Sequence, residues 1–70
     1  MIEKFTLAER EIEVLNYAKF GKDNHAIADL MDISIYTVKA YMSSILRKLN
    51  AKTRTEAVIK AIRLGIIDLY

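Results

Sequence analysis

The 70-residue chain has no cysteine, no proline, no tryptophan and only two glycines. Without cysteine there is neither a disulfide nor a thiolate metal site, so stability rests on packing. Without proline, breaks in helical periodicity fall to Gly21, Gly65 and short polar residues that tolerate a left-handed backbone. The single histidine, His25, has no second imidazole or thiol with which to share a metal, and neither a metal site nor a cofactor is expected. No apolar run is long enough to cross a bilayer, and the mixed charges of residues 1–5 do not open a signal peptide. The chain therefore reads as soluble, unexported and cytoplasmic, without a membrane partner. At this length it forms one domain, residues 1–70, which buries only about 60% of the surface that its unfolded state exposes. A partner or a second copy would add to that modest core.

Acid is also missing from one half. Residues 1–34 carry a net charge of −3, whereas from Ile35 onward Lys39, Arg47, Lys48, Lys52, Arg54, Lys60 and Arg63 face only Glu56 and Asp68. Residues 33–55 contain no acid at all. Neutralising phosphate needs local cation density rather than total charge, so this asymmetry is compatible with a nucleic-acid surface. A solvated helical face would share it.

What is present is helical periodicity, and the expected class is all-α: a four-helix module over about 6–20, 24–31, 35–49 and 55–65 that contains a helix-turn-helix. Thr6, followed by Glu9, has the form of a capping box, and Gly21 sits where a left-handed cap would end the first helix. Leu7, Ile12, Val14, Leu15 and Ala18 would face the core. Asp23 caps a short second helix with Ala26, Ile27 and Leu30 as its apolar stripe. Asp32 makes the corner and Ser34 caps the third helix, so two helices meet across the short turn of a helix-turn-helix. On the third helix Val38, Met42, Ile45 and Leu49 form one row, while Tyr36, Lys39, Ala40, Ser43, Ser44 and Arg47 lie opposite. Small, hydroxyl and cationic side chains without an acid suit a groove and its phosphates, and this is the expected recognition helix. Asn50 is placed to end it, and Thr53 with Glu56 offers a capping box for the fourth helix.

The fourth helix has apolar residues on two sides: Ala57, Val58, Ala61 and Leu64 on one, Ile59, Ile62 and Ile66 on the other. A second apolar stripe calls for a second burial partner. A homodimer through Ile59, Ile62, Arg63 and Ile66 is the economical answer, and its two-fold symmetry would match a palindromic site. Packing on a regulatory domain outside this chain, or on the N-terminal segment, is the alternative.

The order of these residues resembles the DNA-binding domain of LuxR/NarL/GerE-type bacterial transcription regulators from Leu7 to Ile67. Leu7, Arg10, Glu11, Glu13, Val14 and Leu15 match the opening segment, and Gly21, Asn24, Ile27 and Ala28 the second helix. Ile33, Ser34, Thr37, Val38, Lys39, Ile45, Lys48 and Leu49 follow at the family's spacing, with Arg54, Ala57, Val58, Ala61, Gly65, Ile66 and Ile67 closing the pattern. The resemblance implies a four-helix module whose third helix reads double-stranded DNA and whose fourth pairs subunits. It puts Lys39, Ala40 and Ser43 at base edges: lysine toward guanine O6 or N7, alanine toward a thymine methyl, serine toward several bases. It makes Thr37, Lys52 and Arg54 phosphate candidates, with Asn24 and the helix start at Ser34 beside them. Arg47 and Tyr36 are further phosphate candidates, although Arg47 also suits a helix C-terminus and Tyr36 a core edge. Ala8, Ala26 and Tyr41 depart from the pattern, which more often has threonine, glutamate and histidine there, and Ser43 sits where some relatives carry a long cation.

Serines 34, 43 and 44 have no base and orienting acid beside them, so an enzyme is not expected. The expected function is sequence-specific DNA binding and transcription regulation as a dimer. RNA polymerase and a regulatory domain outside the chain are further candidate partners. The competing reading is a protein-interaction module that sequesters a related regulator through the fourth helix.

Overall fold

Side-chain oxygens begin three of the four helices. In a computed structural model that describes residues 6–70, these are α1 (Glu9–Lys19), α2 (Asn24–Met31), α3 (Ile35–Leu49) and α4 (Arg54–Arg63), with no strand among the described residues. The charge-mixed opening read for residues 1–5 lies outside the described residues. Asp23 accepts the Ala26 N–H at 2.9 Å, Ser34 the Thr37 N–H at 3.1 Å and Thr53 the Glu56 N–H at 3.1 Å. Each satisfies one of the amides that a helix start leaves without an intrahelical partner.

The first helix starts differently from the expectation. Thr6 does not cap it; Ala8 occupies the N-cap and α1 covers 9–19 rather than 6–20. Alanine has no side-chain acceptor, so only the return half of a capping box forms, with the Glu11 carboxylate accepting the Ala8 N–H at 2.7 Å. The fourth helix begins at 54 and stops at 63, short of the expected 65. Its Glu56 carboxylate also reaches one residue further back than a standard box, to the Lys52 N–H at 2.8 Å.

All four helices close in the same way. The residues after them, Gly21, Asp32, Asn50 and Gly65, have φ of 82°, 57°, 54° and 76°. The next amide then turns back to a carbonyl five residues earlier: Lys22 to Tyr17, Ile33 to Ala28, Ala51 to Leu46 and Ile66 to Ala61. This paired closure satisfies terminal carbonyls and reverses the chain within two residues. Glycine adopts it without a Cβ penalty, and Asp32 and Asn50 are the side-chain types that bear it best.

The reversals bring the apolar faces together. Val14 and Leu15 of α1, Ile27 of α2 and Val38 and Ile45 of α3 have no exposed surface, and Met42 and Leu49 complete the expected α3 row. From α4 the buried residues are Ala57 and Ala61, small enough for that helix to approach closely, and Ile67 from the following segment closes the core. Two expected core residues are instead out of it. Leu30 is 53% exposed because the inward row of α2 is Ile27, Ala28 and Met31. Leu64 is 49% exposed because α4 has already ended and the turn at Gly65 sends Ile67 inward in its place.

Candidate nucleic-acid interface

The inward row of α3 leaves the rest of its surface to solvent. Tyr36, Lys39, Ala40, Ser43 and Arg47 are exposed, and Ser44 is half-buried beside them. At about 1.5 Å per residue this helix is roughly 22 Å long, enough to lie in a major groove about 12 Å wide. Lys39, Ala40 and Ser43 are thus brought onto one open face, with the Tyr36 ring 5.9 Å from the Lys39 ammonium. Ser34 and Thr37 stand at the start of α3 with their hydroxyls 3.0 Å apart, so the Ser34 hydroxyl bonds the Thr37 hydroxyl as well as the Thr37 amide.

The cations separate by what they touch. Lys48 is not available to a ligand: its ammonium is 2.9 Å from the carboxylate of Glu11, a residue only 4% exposed. Burial pushes the Glu11 carboxyl up, but hydrogen bonds from Ser44, Lys48 and the Ala8 amide, together with the Lys48 charge, outweigh it and hold the group below its ordinary value. Lys60 donates to the carbonyls of Asn50 and Leu49 at 2.7 and 3.3 Å, and lies 3.4 Å from Glu56. It caps the end of α3 from α4, where a cation also meets the negative end of the helix dipole. Lys19 donates to the Asp68 carbonyl at 2.8 Å and ties the C-terminal segment to α1.

Arg54 and Asn24, both expected at phosphate, are bonded to each other, the guanidinium donating to the Asn24 side-chain oxygen. Arg54 Nε is buried without a partner among the described residues. The pair joins the start of α4 to the start of α2, so both side chains hold two helix N-termini together. Lys52, in contrast, is exposed between α3 and α4; its amide and its charge help lower the Glu56 carboxyl, but its ammonium makes no hydrogen bond or ion pair among the described residues. Arg47 makes one 3.5 Å contact to Ser44.

A match over residues 5–61 to the family described as bacterial regulatory proteins, luxR family, takes in α1, α2, α3 and most of α4. The chain belongs to that family. Its helix-turn-helix is α2, the Asp32 corner and α3, and the family is one of DNA-binding transcription regulators. Among its relatives, the transcriptional regulatory protein YxjL of Bacillus subtilis (strain 168) is 45% identical over 68 residues, 97% of this chain and 30% of YxjL. The quorum sensing-dependent transcriptional regulator VjbR of Brucella ovis is 41% identical over 63 residues, 90% of the chain and 24% of VjbR. The response regulator protein VraR of Staphylococcus aureus is 44% identical over 62 residues, 89% of the chain and 30% of VraR. The chain spans less than a third of each.

On this LuxR-family module the four residues named for pairing two copies do not share one environment. Ile59 is 46% exposed and Arg63 is exposed, whereas Ile62 and Ile66 are half-buried against the module's own core. Beside Ile59 a groove of about 310 Å³ runs between α4 and the turn after α1, lined by Gly21, Lys22, Asp23, Arg54, Thr55 and Ile59 among others. Sequence reasoning missed the structural work of Glu11, Lys48 and Lys60. The Glu56–Lys60 spacing of four was a visible signal; the pairing of Glu11 with Lys48 was not, because it joins residues 37 apart. No cluster of metal-ligating side chains occurs among the described residues, and no helix there is long and apolar enough to cross a membrane.

Proposed function

We propose that the module binds double-stranded DNA sequence-specifically, with α3 in the major groove, and regulates transcription as a two-fold dimer on a palindromic or pseudopalindromic site. The carrying observation is the division of α3 into a fully packed row and an open, acid-free face bearing Lys39, Ala40, Ser43 and Arg47. Lys39, Ala40 and Ser43 read base edges in this proposal. Lys52 and Arg47 supply phosphate contacts with ammonium and guanidinium groups that need no core interaction to be broken. The amides at the starts of α3 and α2, carrying Ser34, Thr37 and Asn24, add positioning contacts, and Arg54 supports them by holding α2 and α4 together. The dimer uses the outward side of α4 centred on Ile59 and Arg63, with the edges of Ile62 and Ile66 beneath. The input signal enters through a regulatory domain outside this chain, and RNA polymerase is the expected downstream partner.

Selection of bound duplexes from a random pool, followed by titration at increasing salt, tests this. A palindromic consensus is expected, with affinity falling about a hundredfold from about 50 to about 200 mM salt if four phosphates are neutralised. Failure to bind any duplex, or an affinity indifferent to salt, would refute DNA binding. Salt-insensitive capture of a related regulator through α4 would then favour the sequestering module.

A further inference from the structure

The geometry points to Tyr36 as a specificity-determining residue that positions the Lys39 ammonium for base reading, rather than as a phosphate ligand. This inference rests on the DNA-reading face proposed for α3 and adds to it a residue that selects among sequences. Three observations carry it. Tyr36 is 77% exposed at the first turn of α3, so core packing does not explain a large ring there. Lys39, three residues on and therefore over the same helix face, holds its ammonium 5.9 Å from the centre of that ring. That distance is within the reach of a cation–π attraction. Finally, Lys39 has no ion pair or hydrogen bond among the described residues, and residues 33–55 contain no carboxylate that would compete for it.

A lysine has four rotatable bonds and a compact charge, so on a bare helix it satisfies a phosphate as readily as a base edge. The other two reading positions on this face, Ala40 and Ser43, carry side chains too small to confine it. The Tyr36 ring supplies a wall on the N-terminal side, and residues near the N-terminus of a recognition helix are those that meet base edges. Fewer ammonium positions remain, and those kept lie over the reading face. The consequence is selectivity: the ring favours the duplex whose base acceptor lies where the ammonium is held, and gives less to other duplexes.

A double-mutant cycle on two duplexes tests this: the one selected from the random pool, and a scrambled duplex of the same composition. Tyr36→Ala is expected to reduce the ratio of the two affinities by about two- to fivefold, the range of an exposed cation–π contact expressed as an affinity ratio. Tyr36→Phe, which keeps the ring and loses the hydroxyl, is expected to restore the wild-type ratio. In a Lys39→Ala background the Tyr36→Ala effect is expected to vanish. Equal losses from Tyr36→Phe and Tyr36→Ala on both duplexes would identify a hydroxyl–phosphate bond and overturn the inference. So would a Tyr36→Ala effect that persists without Lys39. If the wild type itself does not distinguish the duplexes, the DNA-reading proposal fails; if it does and the cycle is additive, only the role of Tyr36 fails. Circular dichroism of each variant establishes that the fold is intact.

Discussion

Glu11 shows how much one side chain does in a module this small. Its carboxylate accepts the Ala8 amide at the start of α1 and the Lys48 ammonium from the last turn of α3, so a helix start and a helix end are secured at one buried point. Glu11→Ala removes these bonds and the one from Ser44, and is expected to cost roughly 1.5–3 kcal/mol, measured by chemical denaturation. The folded carboxyl is held below its ordinary value, and Glu56 is lowered as well, first by the Lys52 amide. For a depressed acid the stabilisation is fully present above the unfolded-state value and disappears as pH falls through the folded one. The midpoint of thermal unfolding should therefore stay level from neutrality down to the ordinary carboxylate range and fall below it; in Glu11→Gln the fall should be shallower. The other informative residues are the unpaired cations. Lys39→Ala is expected to cost about 1–3 kcal/mol on the selected duplex and to relax preference at one base position. Lys52→Ala should weaken all duplexes alike and lower the salt slope by about one. Arg54→Ala is a poorer probe, because losing its bond to Asn24 loosens α2 from α4 at the same time.

Among the elements, the helix ends were more legible than the first helix start. Asp23, Ser34 and Thr53 are short polar side chains, and each caps the helix that its position announces. Asp32 and Asn50 take the left-handed backbone as their side-chain type allows. At the start of α1 the N-cap is Ala8 rather than Thr6, and the Glu11 carboxylate that accepts the Ala8 amide is also bonded to Lys48, a partner that no local signal announces. For the closures, Gly21→Ala and Gly65→Ala are expected to cost about 1–2 kcal/mol each in thermal or denaturant unfolding, through backbone strain alone. An added Cβ at either position meets no atom within 4 Å, so steric conflict contributes nothing. Equal stability of these variants and the wild type would show that the closures do not need a positive φ.

At the scale of the whole molecule, the face proposed for reading, on α3, and the face proposed for pairing, on α4, are separate surfaces. The apolar stripe on α4 looked continuous in sequence, but Ile62 and Ile66 spend much of their surface on their own core. Ile59 is therefore the cleaner probe of the proposed dimer. Ile59→Glu should leave the helical content unchanged, give a monomer in sedimentation, and bind a palindrome with the affinity of a half-site. A variant that still sediments as a dimer would move the interface off α4. The C-terminal segment also belongs to this scale. Ile67 is 4% exposed and the Asp68 carbonyl accepts from Lys19, so the chain after α4 is part of the core wall.

The sequence by itself determined the helix order, the corner at Asp32, the buried row of α3 and the luxR family resemblance. Periodicity, caps and left-handed residues act within a few positions of one another, and such signals survive in a linear string. Tertiary structure alone decided which cations are free. Lys48, Lys60 and Arg54 look like Lys39 and Lys52 in sequence, yet their charges are taken up by Glu11, by the carbonyls ending α3 and by Asn24. Those partners lie 10 to 37 residues away, at positions that the crossing of the helices creates.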